Sequence, residues 1–322
     1  MNAKIAKSAA TILACGMFSV LQAQTPAYDQ MSKDDLVKLL QQRDAASVLA
    51  PEKSAGELQV FMAQDSWRGS SEGDWQGNNG FRLGVNSAMP LPADHGLGVQ
   101  LGGSYGLYDL TGRGTSGNEI APQQQGFMTA GIFCRGQEGS RLSAGVVYDL
   151  MYNKFFGEFS QSPLLSQIRS QVAFDVDPKN AVGLWGAVRL DTDSRPHLIY
   201  RGVDQASLFY AHTFDQGAVL RLSAGEAFDN KMGAQASHDE LLMGASVTAP
   251  ITSKLALNGG FAYLTPGSSY DHPGTGSFHE SWFTTFGLTY TFGGSSNPNS
   301  RNAPYMPVAD DASFMVNSNY PF

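Results

Sequence analysis

The sequence predicts an all-β protein: a transmembrane antiparallel β-barrel of about 12 strands with a short N-terminal periplasmic helix. Three observations predict it. Long stretches alternate strictly between apolar and small polar residues, as in "TTFGLTYTFGG", Thr284 to Gly294, where Phe286, Leu288, Tyr290 and Phe292 share one face. The connections between such stretches alternate between long and short. Beyond residue 23, no apolar run approaches the ~18 residues that a membrane-spanning helix needs.

Composition agrees with this class. The 322 residues include 36 glycines and 11% aromatic residues, a pairing that suits kinked strands with interfacial rings, and 16% charged residues. By itself this composition would also fit a secreted β-sandwich. The formal charge of -8 excludes a general attraction to nucleic acid.

The chain opens with Lys4 and Lys7, an apolar stretch from Ala9 to Leu21, and a small residue at Ala23, the order of a secretory signal peptide spanning residues 1–23. An alternative start is Cys15, as a lipidated cysteine; the apolar stretch that continues past it favours cleavage after Ala23. Loss of Cys15 leaves Cys134 alone, so no intrachain disulfide framework is expected.

Residues 24–57 read as a periplasmic leader. Within it "SKDDLVKLLQQRDAA", Ser32 to Ala46, predicts the short helix: Ser32 caps, Asp34 and Asp35 suit the positive end, and Leu36, Leu39 and Leu40 share a face.

Residues 58–292 form the expected barrel. Its outward faces run through Phe81, Leu83 and Val85; Leu97, Leu101 and Tyr105; Val146 and Tyr148; Ile168, Val172 and Phe174; Val182, Leu184 and Val188; and Leu208, Tyr210 and Phe214. They continue through Leu220 and Leu222; Leu241, Met243 and Val247; Leu257, Phe261 and Tyr263; and Trp282 to Phe292. The opposite faces carry mostly Gly, Ser, Thr, Asn, Gln and Arg. Two segments, Leu58 to Ala63 and Phe127 to Arg135, carry apolar groups on both faces.

The long connections fall near residues 67–79, 109–122, 153–166, 192–204, 227–239 and 265–279, and the short ones near 91–95, 136–139, 177–180, 215–217 and 249–253. Strict alternation is the pattern of an outer-membrane barrel with long extracellular loops, tight periplasmic turns and both termini in the periplasm. A sandwich has no reason to alternate them.

The alternation ends at Phe292, and Phe286, Leu288, Tyr290 and Phe292 make the aromatic-ended strand by which such barrels engage the barrel-assembly machinery; Phe322 is a second, less regular candidate. Residues 293–322 then form a periplasmic C-terminal tail with the apolar patch "YMPVADDASFMV", which either extends freely or docks Tyr305, Met306, Val308 and Phe314 on the barrel.

The segments "LGGSYGLYDLTGR", "QQQGFMTAGIFCR", "LSAGVVYDL", "VDQASLFYAHTF" and "MPVADDASFMV" resemble those of an uncharacterised family of outer-membrane barrel proteins, over about Leu58 to Val316. The resemblance implies the fold and supplies no catalytic residues.

Candidate chemistry is sparse. "GGSYG", Gly102 to Gly106, matches G-x-S-x-G, but Ser104 sits mid-strand where a nucleophile elbow needs a strand-to-helix turn. A lipid-hydrolysing barrel would pair a Ser with a lipid-facing His, and His212 shares a face with Tyr210 and Phe214 without an evident Ser partner. His238, Asp239 and Glu240, or Asp271 and His272, have the makeup of solvated loop clusters, not of a regular metal site. No enzyme activity, metal or cofactor is expected.

The informative polar residues face the lumen: Arg82, Asp149, Arg169, Arg189 and Asp191 all fall in the outer half of the barrel. Charges of both signs in such a tube pair or meet water. They form either a charge-filtering constriction or a salt-bridged network that closes the lumen. The functional expectation is a porin-like passive channel for small hydrophilic solutes in the outer membrane, with its lipids as partners. The alternative is a non-conducting structural or surface-exposed barrel, and a barrel lipid hydrolase comes third.

Overall fold

A computed structural model of the chain describes residues 56–69, 77–91, 96–113, 121–136, 141–157, 159–195, 198–228, 240–265, 281–300 and 302–319. The signal segment, Cys15, the helix expected over Ser32 to Ala46, the loop residues His238, Asp239, Asp271 and His272, and Phe322 lie outside the described residues.

Twelve strands close into one antiparallel barrel: β1 (Glu57–Arg68), β2 (Asn78–Pro90), β3 (Leu97–Arg113), β4 (Ala121–Cys134), β5 (Leu142–Lys154), β6 (Leu164–Asp175) and β7 (Asn180–Arg189). The connection after β7 holds two short strands, β8 (Thr192–Arg195) and β9 (Leu198–Gly202). The wall resumes with β10 (Asp204–Thr213), β11 (Val219–Phe228), β12 (Glu240–Pro250), β13 (Leu255–Leu264) and β14 (Ser281–Phe292). Each wall strand pairs with its neighbours in sequence, and β1 closes on β14 with Leu58 opposite Phe292 and Arg68 opposite Trp282. Ladder bonds are thus satisfied all round, which removes exposed strand edges.

The period-2 pattern sets which side chains face out. Leu83, Leu208 and Phe286 are 60%, 67% and 60% exposed, whereas their strand neighbours Arg82, Ser207 and Thr285 face the lumen and are buried or half-buried. In β1 and β4, whose faces both carry apolar groups, Val60, Met62, Met128 and Ile132 face out, and Phe61, Phe127 and Phe133 face in. An exterior band of this kind is stabilised by an apolar solvent, and ten or more residues per tilted strand suffice to cross the hydrocarbon layer.

Of the two courses expected for the tail, free or docked, it takes the docked one, with Met306, Val308 and Phe314 buried. It leaves β14 at the end of the barrel with the short turns, where Ser296 N donates to Ser253 O at 2.9 Å and Lys254 Nζ donates to Gly294 O. It then runs through the lumen to the opposite end. There β15 (Val316–Asn319) pairs antiparallel with β9, completing a three-stranded sheet with β8. The C-terminal strand therefore lies at the long-connection end and not, as expected, at the end where β1 begins. The physical reason is the apolar patch: Met306, Val308, Ala309, Phe314 and Met315 are buried inside the barrel, which removes their surface from water.

Candidate functional site: the lumen and its plug

Lumen side chains hold the tail mainly by its backbone. Gln100 grips Met306 at both ends of its amide: Nε2 donates to Met306 O at 2.9 Å and Oε1 accepts from Met306 N at 3.0 Å, the pairing that a strand neighbour would supply. Asn86 Nδ2 donates to the same carbonyl at 3.0 Å. Arg135 Nη2 donates to Ala303 O and Pro304 O at 3.1 and 3.2 Å, near the short-turn end. Deeper in, Thr129 Oγ1 accepts from Ala309 N at 3.0 Å, and Gln167 Nε2 donates to Ser313 O at 2.9 Å. A buried backbone without such partners would cost the desolvation of each group, so this polar lining answers a threaded, irregular segment.

The inward aromatics pack on the tail's own rings. Phe133 stacks on Tyr305 with centroids 6.2 Å apart, and Phe127 meets Phe314 at 6.3 Å. The apolar groups on both faces of β4 thus divide between an exterior band and a plug. At the far end of the plug Asp310 caps a tight turn, accepting from Ser313 N at 3.0 Å while its carbonyl accepts from Phe314 N at 2.8 Å.

The lumen charges expected to line a constriction are dispersed into separate partnerships. Arg169 and Asp149, both fully buried, form a two-pronged ion pair: Nε donates to Oδ2 at 2.5 Å and Nη2 to Oδ1 at 3.0 Å. Arg169 Nη2 also donates to Pro307 O at 2.8 Å, so the pair is tied to the tail. Arg82 Nε donates to Asp65 at 2.7 Å and Nη2 lies 3.9 Å from Asp310. Arg189 and Asp204 stand 3.8 Å apart, with the Arg189 amide donating to the same carboxylate at 2.7 Å. Asp191 accepts from the backbone and hydroxyl of Ser166. The five do not converge on one ring.

Sequence reasoning missed Asp65, which also accepts from Tyr108 Oη at 3.0 Å and Thr285 Oγ1 at 2.6 Å, and the amide set Asn86, Gln100, Gln125 and Gln167. A signal was present: the inward faces of β2 to β6 carry Asn86, Gln100, Gln123, Gln125 and Gln167, whereas those of β10 to β13 are richer in Ser, Gly and Ala. The tail lies against the first wall. Beside the second it leaves a cavity of about 180 Å³, lined by Gln171, Trp185, Gln205, Ser207, Arg221 and Ser223 among others.

Two chemical candidates receive no catalytic partner. Ser104 Oγ, buried mid-strand in β3, makes no hydrogen bond among the described residues. His212 Nδ1 is 2.8 Å from Asn180 Oδ1, and its ring meets the edge of Phe214. Among the described residues, no three His, Cys, Asp or Glu side chains gather as a metal site.

A closed antiparallel barrel, apolar outside and polar within, defines an integral β-barrel protein of the outer-membrane class. The chain belongs to a family of unknown function (DUF6666), whose model matches residues 57–316, so the plug lies within the family's common region. No curated protein sequence matches it. Among solved structures, it is similar in fold to the COG4313 outer membrane channel from Pseudomonas putida F1, with 12% identity, TM-score 0.52, and 75% of this chain and 98% of that chain covered. The KdgM porin aligns with 8% identity and TM-score 0.41 over 72% of this chain and 99% of that chain. The translocator domain of autotransporter NalP from Neisseria meningitidis aligns with 13% identity and TM-score 0.41 over 80% and 96%.

Proposed function

We propose that the protein is an integral barrel of the bacterial outer membrane, closed at rest by its own C-terminal segment, and not a permanently open diffusion pore. One observation carries this reading: the backbone from Ala303 to Ser313 is held by side chains from β2, β3, β4 and β6 and by Arg135 just past β4, with Met306, Ala309 and Phe314 buried where an open channel would hold water. In this orientation the long connections and β15 face outside, and the N-terminal end of β1 faces the periplasm. Lipid solvates the exterior, and Phe286, Leu288, Tyr290 and Phe292, lined up beside the closing seam with β1, present the assembly signal. Lipid hydrolysis would need a serine beside His212, whose ring is engaged by Asn180 instead.

A second reading, passage of small hydrophilic solutes once the tail shifts, is favoured by the cavity along β10 to β13. Planar-bilayer recording separates the two states. The full chain is expected to be electrically silent. Ala309→Arg, which places a charge at a fully buried tail position without altering the wall, is expected to give stepwise conductance. Steady conductance by the full chain would overturn the closed reading. Silence of a folded Ala309→Arg variant, with folding read from heat-dependent gel mobility, would overturn passage on displacement.

A further inference from the structure

The inward faces of β11 to β14 change character along their length. Toward the long-connection end they carry Ala227, Leu242, Ala262, Leu264 and Phe283, all buried. One or two inward positions further down the same strands stand Ser223, Ser246, Asn258 and Thr285, which are exposed or half-exposed although they face the lumen. Register makes the apolar residues one patch, with Leu242 opposite Leu264 and Ala262 opposite Phe283. The patch belongs to the same buried cluster as Phe314, Met315 and Val316 of the tail. Free space follows the same division. The cavity of about 180 Å³ along this wall reaches Leu242 and Ala262, with Pro307, Ala312 and Ser313 on its tail side. Around Phe283, Phe314 and Met315 the space that remains is about 20 Å³, room for about one water.

We propose that Leu242, Leu264 and Phe283, closed against Phe314 and Met315, are the gate of the barrel, and that it opens to water and small ions while the tail stays bound to β2 to β6. The inference rests on the closed reading above and narrows what has to move. The tail is held in two ways. Directional hydrogen bonds from Asn86, Gln100, Thr129, Gln167 and Arg169 fix its backbone on one side. At its outer end the facing wall meets it through apolar groups, whose attraction is non-directional and survives or fails with small shifts of the side chains. An apolar constriction too narrow for a file of waters stays dry and stops ions; it wets when it widens or gains a polar group. The polar stretch below it, from Ser246 and Asn258 to Thr285, needs no such change to hold water. Parting the rings of Phe283 and Phe314 therefore joins the cavity to the long-connection end without unmaking the bonds to residues 303–313.

The test uses the full chain in planar bilayers with potassium chloride as the permeant salt, and hydrogen exchange of peptides covering 303–313 in the same preparations. Leu242→Asn and Leu264→Asn, two variants that put an amide into the seal from different strands, are each checked for folding by heat-dependent gel mobility. Stepwise conductance is expected from both, with exchange in 303–313 as slow as in the unsubstituted chain. Met243→Ala, on the outward face beside Leu242, is expected to remain silent. Silence of a folded Leu242→Asn or Leu264→Asn chain would overturn the gate, as would conductance that appears only together with faster exchange in 303–313, because the tail would then be leaving as a whole. Conductance in Met243→Ala would overturn it too, since any loosening of the barrel would then suffice. Steady conductance by the unsubstituted chain is the separate result that overturns the closed reading itself.

Discussion

Arg169 donates from one guanidinium nitrogen to the backbone carbonyl of Pro307, 2.8 Å away, joining the barrel wall to the plug across 138 residues of sequence. The same guanidinium neutralises Asp149, which in turn accepts from Thr129 at 2.7 Å and Gln167 at 3.1 Å, two more residues that hold the tail. Wall charge and plug backbone are one network.

Breaking that network from one side leaves a buried charge uncompensated. Asp149→Ala is expected to cost about 3 to 5 kcal/mol, and the double variant Asp149→Ala/Arg169→Met less than the sum of the singles. Urea unfolding of the vesicle-inserted protein, run as a double-mutant cycle, reads both numbers; strict additivity would show that the pair acts as two independent groups.

Gln100→Ala should loosen the plug without opening the wall. It removes the grip on Met306 and leaves a buried carbonyl and amide less well satisfied, for about 1 to 3 kcal/mol. Hydrogen exchange of peptides covering 303–316 is expected to accelerate while strands β10 to β14 stay protected. Uniform acceleration would mean that tail and barrel open together.

At Gly102 wall and plug approach closely. A Cβ there would stand 2.6 Å from Val308 Cγ2 and 2.8 Å from Asn86 Oδ1. Gly102→Leu is therefore expected to displace the tail, giving faster proteolysis between Ala303 and Val316 and conductance like that of Ala309→Arg. A folded Gly102→Leu protein with a protected tail would show that the plug tolerates a shift of register.

Phe127→Ala removes the inward ring facing Phe314, both essentially buried. Phe-to-Ala changes in a packed interior cost about 3 to 5 kcal/mol, and here the loss should fall on tail docking, since the exterior band and the ladder are untouched. Proteolysis kinetics of the tail check this, with Met128→Ala on the outward face as the control that leaves docking unchanged.

The short turn after β6 carries a pH response of its own. Asp177 accepts from the Asn180 side chain and from the Lys179 and Asn180 amides, and these bonds hold its carboxyl below the usual range. The turn's added stability is present above the ordinary carboxylate value and is lost as pH falls through the lowered one. Carboxyl NMR of the folded protein is expected to show Asp177 titrating later on acidification than in Asn180→Ala.

Much of the barrel was legible because its rule is local. Leu83, Leu208 and Phe286 face out for the same reason that Arg82, Ser207 and Thr285 face in: successive side chains of a strand point to opposite sides. The alternation of long and short connections adds the order of the strands. The doubled apolar faces of Leu58 to Ala63 and Phe127 to Arg135 were visible as exceptions, yet nothing local says that Phe127 and Phe133 wait for a segment near residue 310. Arg82, Asp149, Arg169 and Arg189 share the inward parity of their strands, whereas Asp191, exposed, follows β7 in the connection outside the wall, and Asp65 and Asp204 as partners depend on register across strands.

Periodicity along the chain therefore determined the strands, their faces and their antiparallel succession, since these need only the geometry of one strand and its next turn. The tertiary structure alone decided that the tail turns back into the lumen, that Gln100 and Arg169 bind its backbone, and that a polar cavity remains along the opposite wall. Those outcomes depend on filling an enclosed volume and satisfying groups hundreds of residues apart, which no stretch of sequence can balance by itself.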